Sequence, residues 1–466
     1  MADQRQPPGA GRAAARSLGG HSVVYLIGTA LQGLGVLIVL PFATRALGAA
    51  EFGRVATGLV VVQMVGTLAS AGLPQVILRE HHRGAEGPRV ARALAGTTVA
   101  LAGALGVLGL LAAFALSATG HADLRLWLPL VVASSGLSTV VSGQTLMRAR
   151  LQPWGFLALA VLATVGAQLA GVLAARVDPS AGTYLTAYAV VVVAAAALAV
   201  ALGRPLPPTA ERERVRAAVR LAAPLVPQAV AMLALLSGDV LLTRWLIGAE
   251  AAGEYQVALQ IGNIPFVLAV ALFNAWGPLV LSRPIADRWS WTSSTGAGLV
   301  AVVAVGAGLV TGASFLVAPI LAGPDFDIAA ITAAVAPLCL VSVFYMLYQG
   351  SSLAVLDAER TGRLAVAALV AVGVLVALAA TLAGLGLIGV AVAKVAAYAT
   401  LTGLTVAAGR SHLRWPRGAW AVLVVALVVA VVTVLGASGP VHLTVLALTV
   451  VGGAVLAPTV LRVVRR

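Results

Sequence analysis

The string TRALGAAEFG, residues 44–53, returns about 200 residues later as TRWLIGAEAAG, residues 243–253. Each copy closes one long apolar run and opens the next. From Gly48 and Gly248 the copies run in step, so that Gly53 aligns with Gly253 and Gln63 with Asn263. The runs that follow also end alike, in Pro74 to Arg79 and in Pro278 to Arg283, and Arg148 to Gly155 corresponds loosely to Ala358 to Arg363. Membrane helices built of Ala, Val, Leu and Gly resemble one another by composition alone. Composition does not place the same glycines and polar residues at the same junction, so the sequence predicts a duplicated unit of six apolar runs.

The surroundings of the repeat fix the solvent. Of the 466 residues 60% are hydrophobic and 10% charged, and the mean hydropathy is +1.01. A soluble domain carries about 25% charge, and no water-soluble globule of this length could cover so much apolar surface with so little. The polar, Arg-containing residues 1–20 precede an apolar run too long for a signal-peptide core, which reads as a first membrane helix that is retained. A formal charge of +14 would raise nucleic-acid binding in a soluble protein. Here the basic residues lie in short clusters between apolar runs without interleaved aromatics, which excludes it. The single cysteine, Cys339, rules out an intrachain disulfide and reads as core packing.

A helix needs about 20 apolar residues to cross a bilayer. Fourteen runs qualify: 22–44, 53–78, 93–117, 126–147, 155–175, 183–203, 221–246, 254–281, 292–321, 328–350, 364–383, 386–408, 419–437 and 441–461. Lys and Arg are retained on the cytoplasmic side, and one set of connections holds 24 of the 30 basic residues. The opposite set holds Arg45, Arg54, Arg125, Arg176 and Arg244, while Lys394 lies inside a run. Both termini are therefore expected in the cytoplasm, in a multi-pass protein of the bacterial cytoplasmic membrane.

The expected fold is all-α and polytopic, with about 14 transmembrane helices. Two six-helix lobes related by a pseudo-two-fold along the membrane normal are followed by two C-terminal helices. By residue this gives a cytoplasmic tail (1–20), a first lobe (21–203), a basic linker (204–220), a second lobe (221–409) and a C-terminal pair with a short basic tail (410–466). Parallel repeats of this kind put a substrate path between the halves.

TRALGAAEFG, Gly72-Leu-Pro74, GPDF at 323–326 and GLIGVAVA at 386–393 stand in an order, and at positions relative to the runs, that resemble the polysaccharide (O-antigen-type) flippases. These belong to the multidrug/oligosaccharidyl-lipid/polysaccharide exporter superfamily. The resemblance spans runs 1 to 12; the fourteen-run count is shared with the lipid II flippase branch. It implies a bundle that moves a polyprenyl-pyrophosphate-linked oligosaccharide to the outer leaflet by alternating access.

Ionisable residues inside a membrane are expensive and default to functional candidates. Asp239 in the seventh run is expected to exchange a proton or couple transport to H+ or Na+. A partner is expected in Arg45 across the lobes, because Asp239 and Arg244 are about 140° apart on their helix. Arg45, Arg244 and Lys394 are expected to hold the pyrophosphate, since fixed cations offset its lost hydration. Arg45 and Arg244 lie close enough to the interface to snorkel instead. Polar stripes on the equivalent helices, Gln63 with Thr67 and Ser70, and Gln256 with Gln260 and Asn263, are expected to line a cavity or to join helices by hydrogen bonds. Gly103, Gly106 and Gly109 read as close helix packing.

No enzyme pattern is present: G-x-S-x-G, P-loop and H-E-x-x-H are all absent, and neither a cofactor nor a metal is expected. Asp325-Phe-Asp327 has a metal-binding form, but the topology puts it outside, away from nucleotide sugars. The expected partners are a lipid-linked oligosaccharide and membrane lipids. Two alternatives remain, a cation- or proton-coupled multidrug antiporter of the same superfamily and a membrane glycan polymerase or ligase. The antiporter needs aromatics and acids for organic cations, and the polymerase or ligase needs a large catalytic outer loop.

Overall fold

A computed structural model describes residues 10–70, 72–120, 123–222, 225–436 and 439–464. The chain starts with α1 (Ala10–Ser70), α2 (Leu73–His81), α3 (Gly87–Ala118), α4 (Leu124–Ala149), α5 (Pro153–Val161) and α6 (Ala167–Ala175). It continues with α7 (Ala181–Gly203), α8 (Arg212–Ala222), α9 (Leu225–Leu246), α10 (Ala249–Ser282) and α11 (Ile285–Leu321). It ends with α12 (Ile328–Asp357), α13 (Gly362–Leu382), α14 (Leu387–Gly409), α15 (Arg417–Gly436) and α16 (Gly439–Val464). The described residues form helices and no strands, and twelve helical stretches among them are long and apolar enough to cross a membrane. One of the twelve, Gly35–Ser70, carries two of the predicted runs, bent at Gly48, and α16 carries the last. The fourteen runs fall on helices, the second (53–78) being divided between the end of α1 and α2, with Gly72 at φ 68° ahead of α2, and the chain is a multi-pass membrane protein.

The repeat explains the bend. Gly48 has φ 70° and its equivalent Gly248 has φ 147°, backbone that a residue with a Cβ resists. Five residues on, the equivalent glycines meet. A Cβ on Gly53 would overlap the Ala249 carbonyl oxygen, and one on Gly253 would overlap that of Ala49. The contact is reciprocal, as local two-fold symmetry requires. The matched spacing of the two copies is therefore a steric device that lets two helix starts touch backbone to backbone.

The chain divides into two compact units. One comprises residues up to Val39 with Val61–Val226, and the other Leu40–Val60 with Pro227–Arg466. Residues 40–60 cluster with the second unit, where the Gly53–Gly253 contact and the bond from Thr44 Oγ1 to the Leu321 carbonyl (2.7 Å) hold them. The first unit has a core around Leu73, Ile77, Leu94, Leu146 and Phe156, and the second around Leu235, Leu375, Tyr398 and Leu401.

Helices outside the repeat dock by small residues. Gly308 and Gly312 of α11 stand four apart, where Cβ atoms would meet Thr449 Oγ1 at 2.7 Å and the Leu446 backbone nitrogen at 2.7 Å, so α16 lies close against α11. Ahead of α15, the Trp415 ring abuts Gly296 and Gly350 and its Nε1 donates to Ser351 Oγ (2.9 Å). Glycine packing is more selective than expected in α3: Gly106 and Gly109 pack on Ser135 and Val131, whereas Gly103 faces open space. Cys339 is buried, as expected of a packing residue.

Candidate functional site

Three helices of the second unit bring one acid, one base and one phenol together. α9 is an apolar helix whose one carboxylate, Asp239, is fully buried. α14, opened by Gly386 at φ 66°, carries Lys394, 1% exposed. Lys394 Nζ donates to Asp239 Oδ2 at 2.8 Å and to the Leu236 carbonyl at 2.7 Å. The Tyr255 hydroxyl of α10, also fully buried, donates to the same Asp239 oxygen at 2.6 Å.

Two charges buried in apolar surroundings persist only when paired and hydrogen-bonded, and removing one partner costs about 3–5 kcal/mol. The second carboxylate oxygen, Asp239 Oδ1, is buried without a hydrogen-bond partner. Buried polar atoms are rarely left so. This oxygen is an open acceptor while Oδ2 is engaged.

Next to the pair lies an aromatic group. Tyr398 follows Lys394 by one helical turn, and its ring centroid is 6.3 Å from Phe266 and 6.5 Å from Tyr345. Phe266 and Tyr345 lie 4.2 Å apart, and Tyr348 lies 6.0 Å from Tyr345. Phe266 and Tyr345 are half-buried, whereas Tyr348 and Tyr398 are buried.

Of the expected site residues, the structure joins Asp239 to Lys394. The expected Asp239–Arg45 pair does not form. Arg45 is exposed, and its guanidinium donates to the carbonyls of Pro41 (2.8 Å), one turn back on its own helix, and of Ile320 (2.9 Å) in the last turn of α11. Arg244 is half-buried in the last turn of α9. Gln63 is exposed, Gln256, Gln260 and Asn263 are half-buried, and Gln256 Oε1 is buried without a partner.

Sequence patterns do not single out Tyr255. Its one signal is a phenol in an apolar run, since a buried tyrosine usually finds an acceptor for its hydroxyl. The Asp-x-Asp element serves local structure. Asp327 Oδ1 accepts from the Ala330 N–H (3.0 Å) at the start of α12, and the Asp327 N–H donates to Glu254 (2.9 Å).

A family model described as polysaccharide biosynthesis protein matches residues 18–283. Among solved structures the chain is similar to the lipid II flippase MurJ in an inward closed conformation, with a TM-score of 0.68 at 12% identity, covering 95% of this chain and 100% of that one. It is also similar to a multidrug resistance MATE family transporter of the MOP superfamily in an inward-facing conformation. That match has a TM-score of 0.58 at 14% identity, over 84% of this chain and 97% of that one. No curated protein sequence matches the chain. At these identities the structural matches establish a shared fold.

Proposed function

We propose that this chain, which belongs to the polysaccharide biosynthesis protein family, moves a polyprenyl-pyrophosphate-linked oligosaccharide across the cytoplasmic membrane by alternating access. The observation that carries this reading is the buried Asp239–Lys394 pair with its phenol donor. A fixed ammonium inside the membrane is suited to an anionic headgroup, because a pyrophosphate leaving water needs a compensating cation. Lys394 has that charge engaged by Asp239. A proton on Asp239 would release it to the substrate, and loss of that proton after delivery would recapture it. The Asp239 carboxylate and the substrate anion would then compete for one lysine, and protonation of the carboxylate would decide between them, which links the cycle to a proton gradient. Transport of this kind breaks no covalent bond, so no catalytic residue is assigned. Arg45 and Arg244 are proposed as auxiliary cations at the outer ends of their helices, and Gln63, Gln256, Gln260 and Asn263 as hydrogen-bond partners for the headgroup or first sugar.

The test is flipping of a fluorescent polyprenyl-pyrophosphate oligosaccharide in proteoliposomes under an imposed pH gradient. The gradient is expected to accelerate appearance of the label in the opposite leaflet. A labelled lipid that stays put at every gradient, in protein shown to be folded, would remove the proposal. One observation favours a second reading, a multidrug antiporter: Phe266, Tyr345, Tyr348 and Tyr398 gather beside an acid, the chemistry that takes organic cations. Gradient-driven uptake of an organic cation, without flipping of the glycolipid, would select it. Against it stands Lys394, which already neutralises the acid.

A further inference from the structure

Helix α8 sorts its arginines by flank. Val215, Ala218 and Ala222 are buried, and this face packs into the core that holds Leu73, Val76, Ile77 and Val90 of α2 and α3. On one flank Arg214 pairs with Glu86 at 2.5 Å and stands 4.0 Å from Glu211, which itself pairs with Arg89 at 3.1 Å. The adjoining cleft, about 740 Å³, carries Arg79, Arg83 and Arg214 together with Glu80 and Glu86, and so answers most of its own charge. The opposite flank differs. Arg212, Arg216 and Arg220 recur every fourth residue, all three are exposed, and no ion pair to them exists among the described residues. Glu213, exposed on the same helix, bridges to none of them.

A row of like charges at this spacing disfavours its own helix unless something anionic lies against it. The position of α8 says what that is. It follows α7 through Pro205, Pro207 and Pro208 and precedes α9, so it connects two helices long and apolar enough to cross a membrane and belongs by topology to the segment between them, where the chain meets the membrane surface. Its apolar face is already occupied by protein, which leaves the arginine row for the lipid headgroups. A planar guanidinium matches phosphate oxygens two at a time, and three such groups span about 12 Å of helix.

We propose that α8 is a membrane-surface helix whose Arg212, Arg216 and Arg220 bind the phosphates of anionic phospholipids in the adjoining leaflet. The proposal is independent of what the protein transports. Each arginine at an anionic surface strengthens association about fivefold, and the effect is screened by salt.

The experiment uses the full chain in nanodiscs of phosphatidylcholine with and without phosphatidylglycerol. Retained phosphatidylglycerol is counted by native mass spectrometry, and amide exchange is followed over residues 212–222. The wild type is expected to retain phosphatidylglycerol and to protect α8 only when that lipid is present. The triple variant Arg212→Gln/Arg216→Gln/Arg220→Gln should lose roughly a hundredfold in retention, while the triple Lys variant keeps most of it. Arg360→Gln/Arg363→Gln, which removes exposed charge elsewhere, should change nothing. Should the Gln variant unfold, a salt titration of the wild type beside the Lys variant decides the matter. Equal retention by folded Gln variant and wild type, or retention insensitive to salt, overturns the proposal. So does protection of α8 by soluble inorganic pyrophosphate but not by phosphatidylglycerol, which would make the row a collecting site for a pyrophosphate headgroup.

Discussion

Asp239 and Lys394 are each costly alone and inexpensive together, which makes their substitutions informative as a set. Asp239→Asn preserves shape but leaves the Lys394 ammonium buried without its counter-charge. Lys394→Met leaves the carboxylate in the same position. Each single variant should therefore lose about 3–5 kcal/mol of stability as well as transport. The double variant Asp239→Asn/Lys394→Met removes both charges, and its melting temperature should return close to the parent value. Transport should not return with it. Melting temperature and flipping rate measured on the three variants separate the roles, and a double variant that recovers both would leave the pair a packing feature only. Tyr255→Phe deletes one donor to Asp239 and should act in the same direction with a smaller loss, about 1–3 kcal/mol, because a hydrogen bond to a charged group is broken.

At the scale of elements, helix contacts here are set by where side chains are missing. The equivalent glycines Gly53 and Gly253 face carbonyl oxygens at distances no Cβ tolerates. Gly53→Val or Gly253→Val should force the two helix starts apart and cost about 1–3 kcal/mol or more, read as a lowered melting temperature in detergent. Gly103→Ala is the control. It meets nothing within 4 Å and should be neutral or stabilise by up to about 1 kcal/mol, the helix preference of alanine over glycine. A Gly53→Val protein that melts like the parent would show that these two helix starts are not in contact.

For the whole molecule the strongest expectation is orientation, which rests on the partition of the basic residues. The only cysteine, Cys339, is buried, so an introduced exposed cysteine can be labelled selectively. Asp178→Cys, in the connection between α6 and α7, should react with a membrane-impermeant maleimide on intact cells. Glu359→Cys, between α12 and α13, should react only after permeabilisation. The reverse pattern would invert the molecule and put the α8 arginine row on the outer leaflet.

Much of this architecture was legible as pattern. Apolar length specifies a membrane helix because the bilayer leaves backbone polar groups no other partner, so the described residues of the fourteen runs are overwhelmingly helical, with the second run broken near Gly72. The glycine spacing of TRALGAAEFG and TRWLIGAEAAG marked a duplicated junction because positive φ and close approach both select glycine. Intramembrane charge flagged Asp239 and Lys394 as candidates by its cost alone. Pairing was a different matter. Arg45 was the expected partner of Asp239 because Arg244 lies about 140° away from the acid on its helix, yet the Arg45 guanidinium reaches the carbonyls of Pro41, one turn back on its own helix, and of Ile320. Lys394 comes from a helix 155 residues away in sequence and meets the acid within hydrogen-bond distance. Sequence encodes the solvent preference of each residue and the local geometry of its helix. Which buried charge meets which depends on the depth and rotation of α9, α10 and α14 as they pack, and those are settled only when the side chains of all three close on one another.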